Sequence, residues 1–114
     1  MSVASIIPGT LDLLVLKAVS LGREHGYGVL LRIQRASRDV LAVEQGALYP
    51  ALARLETQGL IESEWGVSDN NRRAKFYVLT RDGKARLKSD SAEWKRFAMA
   101  LDHVLATPNL EALA

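Results

Sequence analysis

The chain has 114 residues, which suffices for one domain with a modest core, so association with a second copy would add stability. Hydrophobic residues make up 48% and charged residues 25%, a globular balance, and the absence of cysteine excludes disulfide bonds and thiolate metal sites. The net charge is only +2, but the segment from Val67 to Arg96 carries nine Lys or Arg against four Asp or Glu, so it stands at +5 and the remainder at −3. No apolar run approaches the ~20 residues of a membrane span, and the first residues do not resemble a signal peptide, so we expect a cytoplasmic protein.

The first predicted helix is apolar on more than one side. Residues Met1 to Pro8 are expected to be loosely ordered, and Pro8-Gly9 interrupts regular structure. Thr10 is the predicted N-cap, and the helix should run to about Leu21, with Gly22 after it. Such a helix must be covered by its own domain on one side and, on another, by the chain's last helix or by a partner's. Its apolar residues are Leu11, Leu13, Leu14, Val15, Leu16, Ala18, Val19 and Leu21.

A second helix is predicted from about Tyr27 to Arg38, after a turn over Gly22 to Gly28. Residues Ser37 to Val43 then form a connector to the third helix. The residues of the second helix that can face inward are Leu30, Leu31, Ile33 and Ala36. Those on its more polar side are Arg32, Arg35 and Arg38.

The third predicted helix, from about Gln45 to Gln58, has one apolar face and one face of small or hydrogen-bonding residues. The apolar residues, spaced four and three apart as on one side of a helix, are Leu48, Leu52 and Leu55. Gly59 follows, where a left-handed residue after a helix favours glycine. Pro50 fixes the helix start near Glu44 or Gln45, because the missing N–H of proline matters less near a helix start. The other face is typical of a DNA-reading helix and carries Gln45, Tyr49, Ala53 and Arg54.

A β-hairpin and a long helix complete the chain. The predicted strands are Leu60 to Trp65 and Ala74 to Thr80, joined by the polar, basic turn from Gly66 to Arg73. Thr80 can cap a last helix that ends near Ala106 and is therefore about 37 Å long. That length exceeds what a small domain needs, so part of its apolar seam should meet another chain. The seam consists of Leu87, Trp94, Leu101 and Val104, with Ser91, Phe97, Ala98 and Leu105 beside it.

This order of elements predicts a mainly α fold with a small β-hairpin, a winged helix-turn-helix. Residues 1–80 would form the DNA-binding domain, with three helices and a two-stranded wing, and residues 81–114 the C-terminal dimerisation helix and tail. In such a fold the third helix enters the major groove of double-stranded DNA, and the wing lies along the phosphates or in the adjacent minor groove.

Several motifs resemble those of the PadR family of bacterial transcriptional regulators. Between about Gly9 and Leu87 they are His25-Gly-Tyr27, Gly46-Ala-Leu-Tyr-Pro-Ala-Leu-Ala-Arg-Leu-Glu56, Gly59-Leu-Ile61 and Phe76-Tyr-Val-Leu-Thr80 with Gly83. The resemblance implies a winged-helix DNA-binding domain, repression of transcription and a homodimer formed by the C-terminal helix with help from the first. Many members respond to small molecules, often aromatic ones. Glu44 departs from the family pattern. It places an anion beside the start of the third helix, where it is expected either to weaken phosphate binding or to cap the helix.

The start of the third helix supplies the candidates for reading DNA. Gln45 and Ala47 are the candidates for base edges, because glutamine can pair with adenine and alanine can contact a thymine methyl group. Gly46 belongs to the same helix start. Tyr49 is predicted either to contact DNA through its hydroxyl or to pack against the second helix. Arg54 is predicted either to reach the DNA backbone or to pair with a surface carboxylate.

Phosphate contacts are predicted from the wing. Arg72, Arg73 and Lys75 place three cations at a hairpin tip beside the helix-turn-helix. Tyr27 opens the second helix, where free N–H groups can bind a phosphate, although its ring is predicted to pack in the core. The alternative to a DNA-binding regulator is a winged-helix module that uses the same surface to bind a protein.

The seam of the last helix is predicted to bind a second copy of the chain. Trp94 is expected to pack across that interface, and the alternative is a pocket between subunits for a small aromatic ligand. His25 and His103 are far apart in the sequence, so no metal or other cofactor is expected, and the absence of a catalytic arrangement argues against an enzyme. The residues predicted for the dimer interface or effector pocket are Trp94, Phe97, Leu101, Val104 and Leu14.

Overall fold

The computed structural model describes residues 6–7 and 9–114. The expected loose order of Met1 to Pro8 therefore falls almost wholly outside the described residues, as does Pro8 of the Pro8-Gly9 pair. The helices are α1 (Leu11–Ser20), α2 (Gly26–Ala36), α3 (Gln45–Thr57), α4 (Arg81–Leu105) and a 3-10 turn (Leu110–Leu113). The strands are β1 (Glu24–His25), β2 (Ile61–Val67) and β3 (Arg73–Leu79). The predicted fold class, mainly α with a small hairpin, is confirmed.

The sheet has one strand more than the two-stranded wing that the sequence predicts. In the described chain its order is β1-β3-β2, and both pairings are antiparallel. Glu24 pairs with Tyr77 and His25 with Phe76. Glu24 and His25 lie inside the turn that the sequence predicts from Gly22 to Gly28. The sequence did not indicate β1, because a strand of two residues is too short to show an alternating pattern.

The side chain of Arg32 ties α2 to the end of α1. One guanidinium nitrogen donates to the carbonyl oxygens of Ala18 (3.0 Å) and Gly22 (2.6 Å). The other lies 3.5 Å from the carboxylate of Glu24. Arg32 thus joins α2 to the last turn of α1 and to the residue Gly22 that follows it. Thr10, at the other end of α1, occupies the N-cap position, but its hydroxyl donates to the carbonyl of Ile7 instead of accepting from a helix amide.

The apolar face of α3 forms the centre of the core, as predicted. Leu48, Leu52 and Leu55 are at most 1% exposed. Gly59 has φ +76°, and the N–H of Leu60 donates to the carbonyl of Leu55 at 2.9 Å, which closes the helix as expected. The predicted start at Gln45 is confirmed. The reason given for it needs correction, because Pro50 lies in the second turn and leaves the Gly46 carbonyl without its helical donor.

The start of α4 packs directly on the connection between α3 and β2. The Thr80 hydroxyl accepts from the N–H of Gly83 at 3.0 Å, which confirms the predicted cap, and donates to the carbonyl of Gly59 at 2.6 Å. A Cβ atom on Gly83 would lie 1.9 Å from the Leu60 carbonyl oxygen, so only glycine allows this approach. The helix ends at Leu105, one residue before the predicted end. In the described part of the chain, no helix is both long and apolar enough to cross a membrane.

Candidate nucleic-acid interface

A cleft of about 560 Å³ lies between the hairpin and the first turns of α2 and α3. It brings together six of the nine residues predicted to contact DNA: Gln45, Tyr49, Tyr27, Arg72, Arg73 and Lys75. Gly46 and Ala47 are exposed at the same end of α3, outside the lining of the cleft. Two aromatic residues that the sequence did not single out as contacts, Trp65 and Tyr77, also line it. We call the β2–β3 hairpin the wing.

The first three residues of α3, Gln45, Gly46 and Ala47, are exposed. Glu44 occupies the N-cap position, and its backbone carbonyl accepts from the N–H groups of Ala47 and Leu48, each at 3.0 Å. Glu44 thus occupies the predicted cap position, but its side chain makes no capping hydrogen bond within the described chain. The Glu44 carboxylate therefore remains an exposed anion next to Gln45.

The ring of Tyr49 packs α3 against the start of α2. A Cβ atom on Gly26 would lie 2.7 Å from the Tyr49 ring, so glycine at that position makes room for the aromatic side chain. The residue is nevertheless exposed over nearly half of its surface. Of the two predicted roles of Tyr49, packing against α2 is therefore present in the structure. The side chain also lines the cleft.

The N-terminus of α2 is capped by a residue that the sequence did not indicate. Nδ1 of His25 accepts from the N–H of Gly28 at 3.1 Å, a role that serine, threonine or aspartate usually fills. The carboxylate of Glu24 accepts from the N–H of His25 at 2.9 Å, so an anion already lies at this helix end. Tyr27 is 49% exposed, which makes the prediction that its ring packs in the core wrong.

The tip of the wing is shorter than predicted. The strands extend to Val67 and Arg73, which pair with each other, so the loop covers only Ser68 to Arg72. The N–H of Ser68 donates to the carbonyl of Arg72 at 2.8 Å, and Asn71 adopts a left-handed φ of +59°. Arg73 and Lys75 are thus fixed on a strand, where a residue's direction is set by the sheet.

An exposed tryptophan stands among the wing's cations. Trp65 is 57% exposed and pairs directly with Lys75 across the hairpin. The guanidinium carbon of Arg73 lies 4.4 Å from the centre of an indole ring, and the ammonium of Lys75 lies 5.8 Å from it. Both distances are within the range of cation–π attraction.

Tyr77 closes the inner end of the cleft. It is only 6% exposed and belongs to the hydrophobic core. Burial raises the pKa of its hydroxyl above the ordinary value, and the nearby Glu56 and Tyr49 add to the rise. The hydroxyl therefore stays neutral at physiological pH.

Arg54 lies on α3 but not in the lining of the cleft. Its guanidinium donates to the Asp12 carboxylate on α1 at 2.8 Å. Of the two contacts predicted for Arg54, the pairing with a surface carboxylate is the one present in the structure.

The residues predicted for dimerisation occupy the second half of α4 and its junction with α1. Leu14 is partly buried against the core. Trp94 lines an apolar cavity of about 350 Å³ with residues of the N-terminal segment and α1, among them Leu13 and Leu14, and with Leu41. The exposed apolar residues of α4 include Trp94, Phe97, Leu101, Val104 and Leu105.

Comparisons with known proteins identify similar sequences and folds. The sequence model of the transcriptional regulator PadR-like family matches residues 15–89. An uncharacterised protein X of Lysinibacillus sphaericus is 31% identical over 100 residues, which cover 87% of this chain and 91% of that protein. A PadR family transcriptional regulator of Eggerthella lenta is 30% identical, with a TM-score of 0.73 over 87% of this chain and 84% of that one. A transcriptional regulator of Clostridium thermocellum is 26% identical, with a TM-score of 0.75 over 83% of this chain and 92% of that one.

Proposed function

The chain belongs to the PadR-like family of DNA-binding transcriptional regulators, and we propose that it is a homodimeric repressor of a pseudo-palindromic operator. The observation that carries this proposal is the cleft between the first turn of α3 and the wing. It sets a hydrogen-bonding residue, Gln45, opposite the cations Arg72, Arg73 and Lys75. A helix start that can enter the major groove, beside cations that can bind phosphate, is what operator binding requires. The cytoplasmic location expected from the sequence follows from this role, because the chromosome lies there.

The wing should supply the phosphate contacts. Each phosphate that a cation neutralises releases counterions, so the logarithm of affinity falls with the logarithm of salt concentration by about one unit per contact. We expect Arg72→Ala combined with Arg73→Ala to weaken operator binding about 10- to 100-fold and to reduce that slope by about two. Fluorescence anisotropy of labelled operator DNA at several salt concentrations measures both quantities.

A matched control removes the same charge elsewhere. Arg86 and Lys88 are exposed on α4 and lie outside the cleft. Changing both to alanine should leave the operator affinity and its salt dependence close to those of the wild type.

The operator itself is obtained by selection from the upstream region of the gene and from a random library. If the wild type prefers no DNA sequence and its affinity stays flat with salt, the proposal is wrong and a protein partner for the cleft is favoured.

Dimerisation is supported by the exposed apolar residues of α4. This helix has 25 residues, about 37 Å, and Val104 and Leu105 near its end are 68% and 74% exposed. A second copy would cover these residues. The α3 helices of the two copies would then lie about 34–36 Å apart, which is the distance between two half-sites separated by one turn of DNA. Light scattering should give a dimer for the wild type at micromolar concentration.

Charged substitutions test where the two copies meet. Leu101→Asp combined with Val104→Asp should produce a monomer, because an unpaired carboxylate would be buried in the interface. Ala92 lies on the opposite side of α4 from Leu101, so Ala92→Asp should leave the dimer intact. A wild-type monomer would contradict the homodimer.

The cavity beside Trp94 supports release of the repressor by a small aromatic effector. Its lining is mostly apolar, its volume of about 350 Å³ suits a small planar molecule, and Trp94 offers an aromatic wall. We expect planar aromatic compounds to quench tryptophan fluorescence in the wild type and in Trp65→Phe, but not in Trp94→Phe. If no compound of a broad panel quenches Trp94 or weakens operator binding, the effector part of the proposal is wrong.

A further inference from the structure

We propose that Trp65 is a positioning residue of the DNA interface, whose indole holds Arg73 and Lys75 ready to bind DNA phosphates. This inference rests on the proposed DNA-binding role of the wing. The indole lies on β2 directly opposite Lys75, and Arg73 is the next residue of β3 on the same face. Its ring attracts both cations, at 4.4 Å for Arg73 and 5.8 Å for Lys75.

Strand alternation directs this group toward the DNA. Tyr77 points from β3 into the core, and residues two and four positions earlier on the strand, Lys75 and Arg73, share its face. Toward the wing tip that face no longer meets the core and instead borders the cleft. Trp65 is therefore held over the cleft with more than half of its surface exposed.

A similar pair on the opposite face of the sheet shows what is different about the wing. Arg23 lies 4.0 Å from the centre of the Phe76 ring, but its guanidinium also donates to Glu64 at 2.9 Å, so its charge is compensated. Within residues 6–7 and 9–114, neither Arg73 nor Lys75 forms an ion pair with a carboxylate. These cations are ordered by an aromatic ring and left free to bind an anion.

Stacking leaves the hydrogen-bonding edge of an arginine available. A guanidinium that lies over a ring uses its face for the ring and keeps its N–H groups for phosphate oxygens. Arginine and lysine lose side-chain freedom when they bind phosphate, and a cation already held on Trp65 has less freedom to lose. Trp65 therefore strengthens DNA binding through Arg73 and Lys75.

Two substitutions of Trp65 separate its aromatic character from its apolar bulk. We expect Trp65→Leu to weaken operator binding about three- to tenfold and Trp65→Phe to weaken it less than about threefold, because phenylalanine keeps a ring that attracts cations. Val78→Ala, which trims a partly exposed apolar side chain on the other face of β3, should change affinity less than twofold. Circular dichroism and thermal unfolding establish that all variants remain folded.

A double-mutant cycle shows whether Trp65 acts through the cations. In protein that also carries Arg73→Ala and Lys75→Ala, Trp65→Leu should change affinity less than twofold. An equal loss in both backgrounds would overturn the positioning role, and so would wild-type affinity in Trp65→Leu. Failure of the wild type to bind any DNA would instead reject the proposed function, and this inference with it.

Fluorescence gives a reading of the stack that needs no DNA. In Trp94→Phe protein Trp65 is the remaining tryptophan, since the chain has two. Adding Arg73→Ala and Lys75→Ala should expose the indole and increase its quenching by acrylamide. Unchanged quenching would mean that the cations do not cover Trp65 in solution, and the inference would fall.

Discussion

The guanidinium of Arg54 lies 2.8 Å from the carboxylate of Asp12, so an ion pair joins α3 to the first turn of α1. Both side chains are partly exposed, and such pairs contribute less than about 1 kcal/mol to stability. We expect Asp12→Asn to lower the free energy of unfolding by no more than that amount. It should also raise operator affinity about two- to fivefold, because it removes an anion and releases Arg54 toward the DNA backbone. Urea denaturation and anisotropy measure the two effects.

The role of Arg54 follows from a second variant. Arg54→Ala in the Asp12→Asn background should return the affinity to the wild-type level or below it, if the released guanidinium contacts phosphate. Equal affinity of Asp12→Asn and the double variant would show that Arg54 serves only to join α3 to α1.

Removing the charge of Glu44 should change stability and DNA affinity in opposite directions. Its carboxylate lies at the N-terminus of α3 without a capping hydrogen bond, so only the helix dipole favours it. Glu44→Gln should therefore lower the free energy of unfolding by about 0.3–1 kcal/mol. It should also raise operator affinity about two- to tenfold, because a phosphate near Gln45 no longer meets an anion.

A control for Glu44 is available on the wing. Glu62 is exposed on β2 and does not line the cleft, so Glu62→Gln should leave affinity within about twofold of the wild type. Equal effects of the two substitutions would mean that total charge matters, and that DNA does not approach the start of α3 closely.

The sequence predicts best the elements whose residues repeat. Leu48, Leu52 and Leu55 follow the helical period, Gly59 has a turn that glycine favours, and Thr80 is a usual capping residue. The conformation of these residues depends mainly on their neighbours along the chain, so it can be predicted from the sequence. The wing cations follow for the same reason, since a basic run between two strands is visible without coordinates.

Features that depend on distant residues could not be predicted in this way. Arg32 reads as a polar surface residue, and only the folded chain brings it to the carbonyls of Ala18 and Gly22. The stacking of Arg73 on Trp65 depends on strand register, which the predicted boundaries did not fix. Likewise, the cap of α2 could not be predicted, because histidine is not one of the residue types that usually cap a helix start.

Gly83→Ala should destabilise the protein, although alanine is the better helix former. Propensity alone would give alanine an advantage of about 0.5–1 kcal/mol inside a helix. At this position, however, the new methyl carbon would lie 1.9 Å from the carbonyl oxygen of Leu60. That oxygen belongs to the backbone, so it cannot move aside as the end of a flexible side chain could. We expect the free energy of unfolding to fall by at least about 2 kcal/mol, as in other overpacked sites. Thermal and urea denaturation measure the loss.

The matched control is the glycine of α3. A Cβ atom on Gly46 would meet nothing within 4 Å, so Gly46→Ala should raise stability by up to about 1 kcal/mol. A Gly83→Ala protein as stable as the wild type would show that α4 can shift away from the backbone of Leu60 without loss of stability.

Tyr77 should make the protein lose stability in alkaline solution. Its folded pKa lies above the ordinary value of 10.0, first because the ring is buried and then because of Glu56 and Tyr49. A group of this kind contributes its full stability below the pKa of the unfolded chain. That contribution is lost as pH rises through the folded pKa, because the unfolded chain releases the proton first. Between the two pKa values the free energy of unfolding should fall by about 1.4 kcal/mol per pH unit.

Tyr77→Phe isolates this contribution. The ring still fills the core, so at pH 7 we expect stability within about 1 kcal/mol of the wild type, whereas the Tyr77 part of the decline above pH ~10 should disappear. All other residues are the same in both proteins, so the difference between the two urea-denaturation profiles belongs to residue 77. Tyr27→Phe removes a half-exposed hydroxyl and should keep the decline. Identical profiles for the wild type and Tyr77→Phe would mean that the Tyr77 hydroxyl reaches solvent, and that the inner end of the cleft is open.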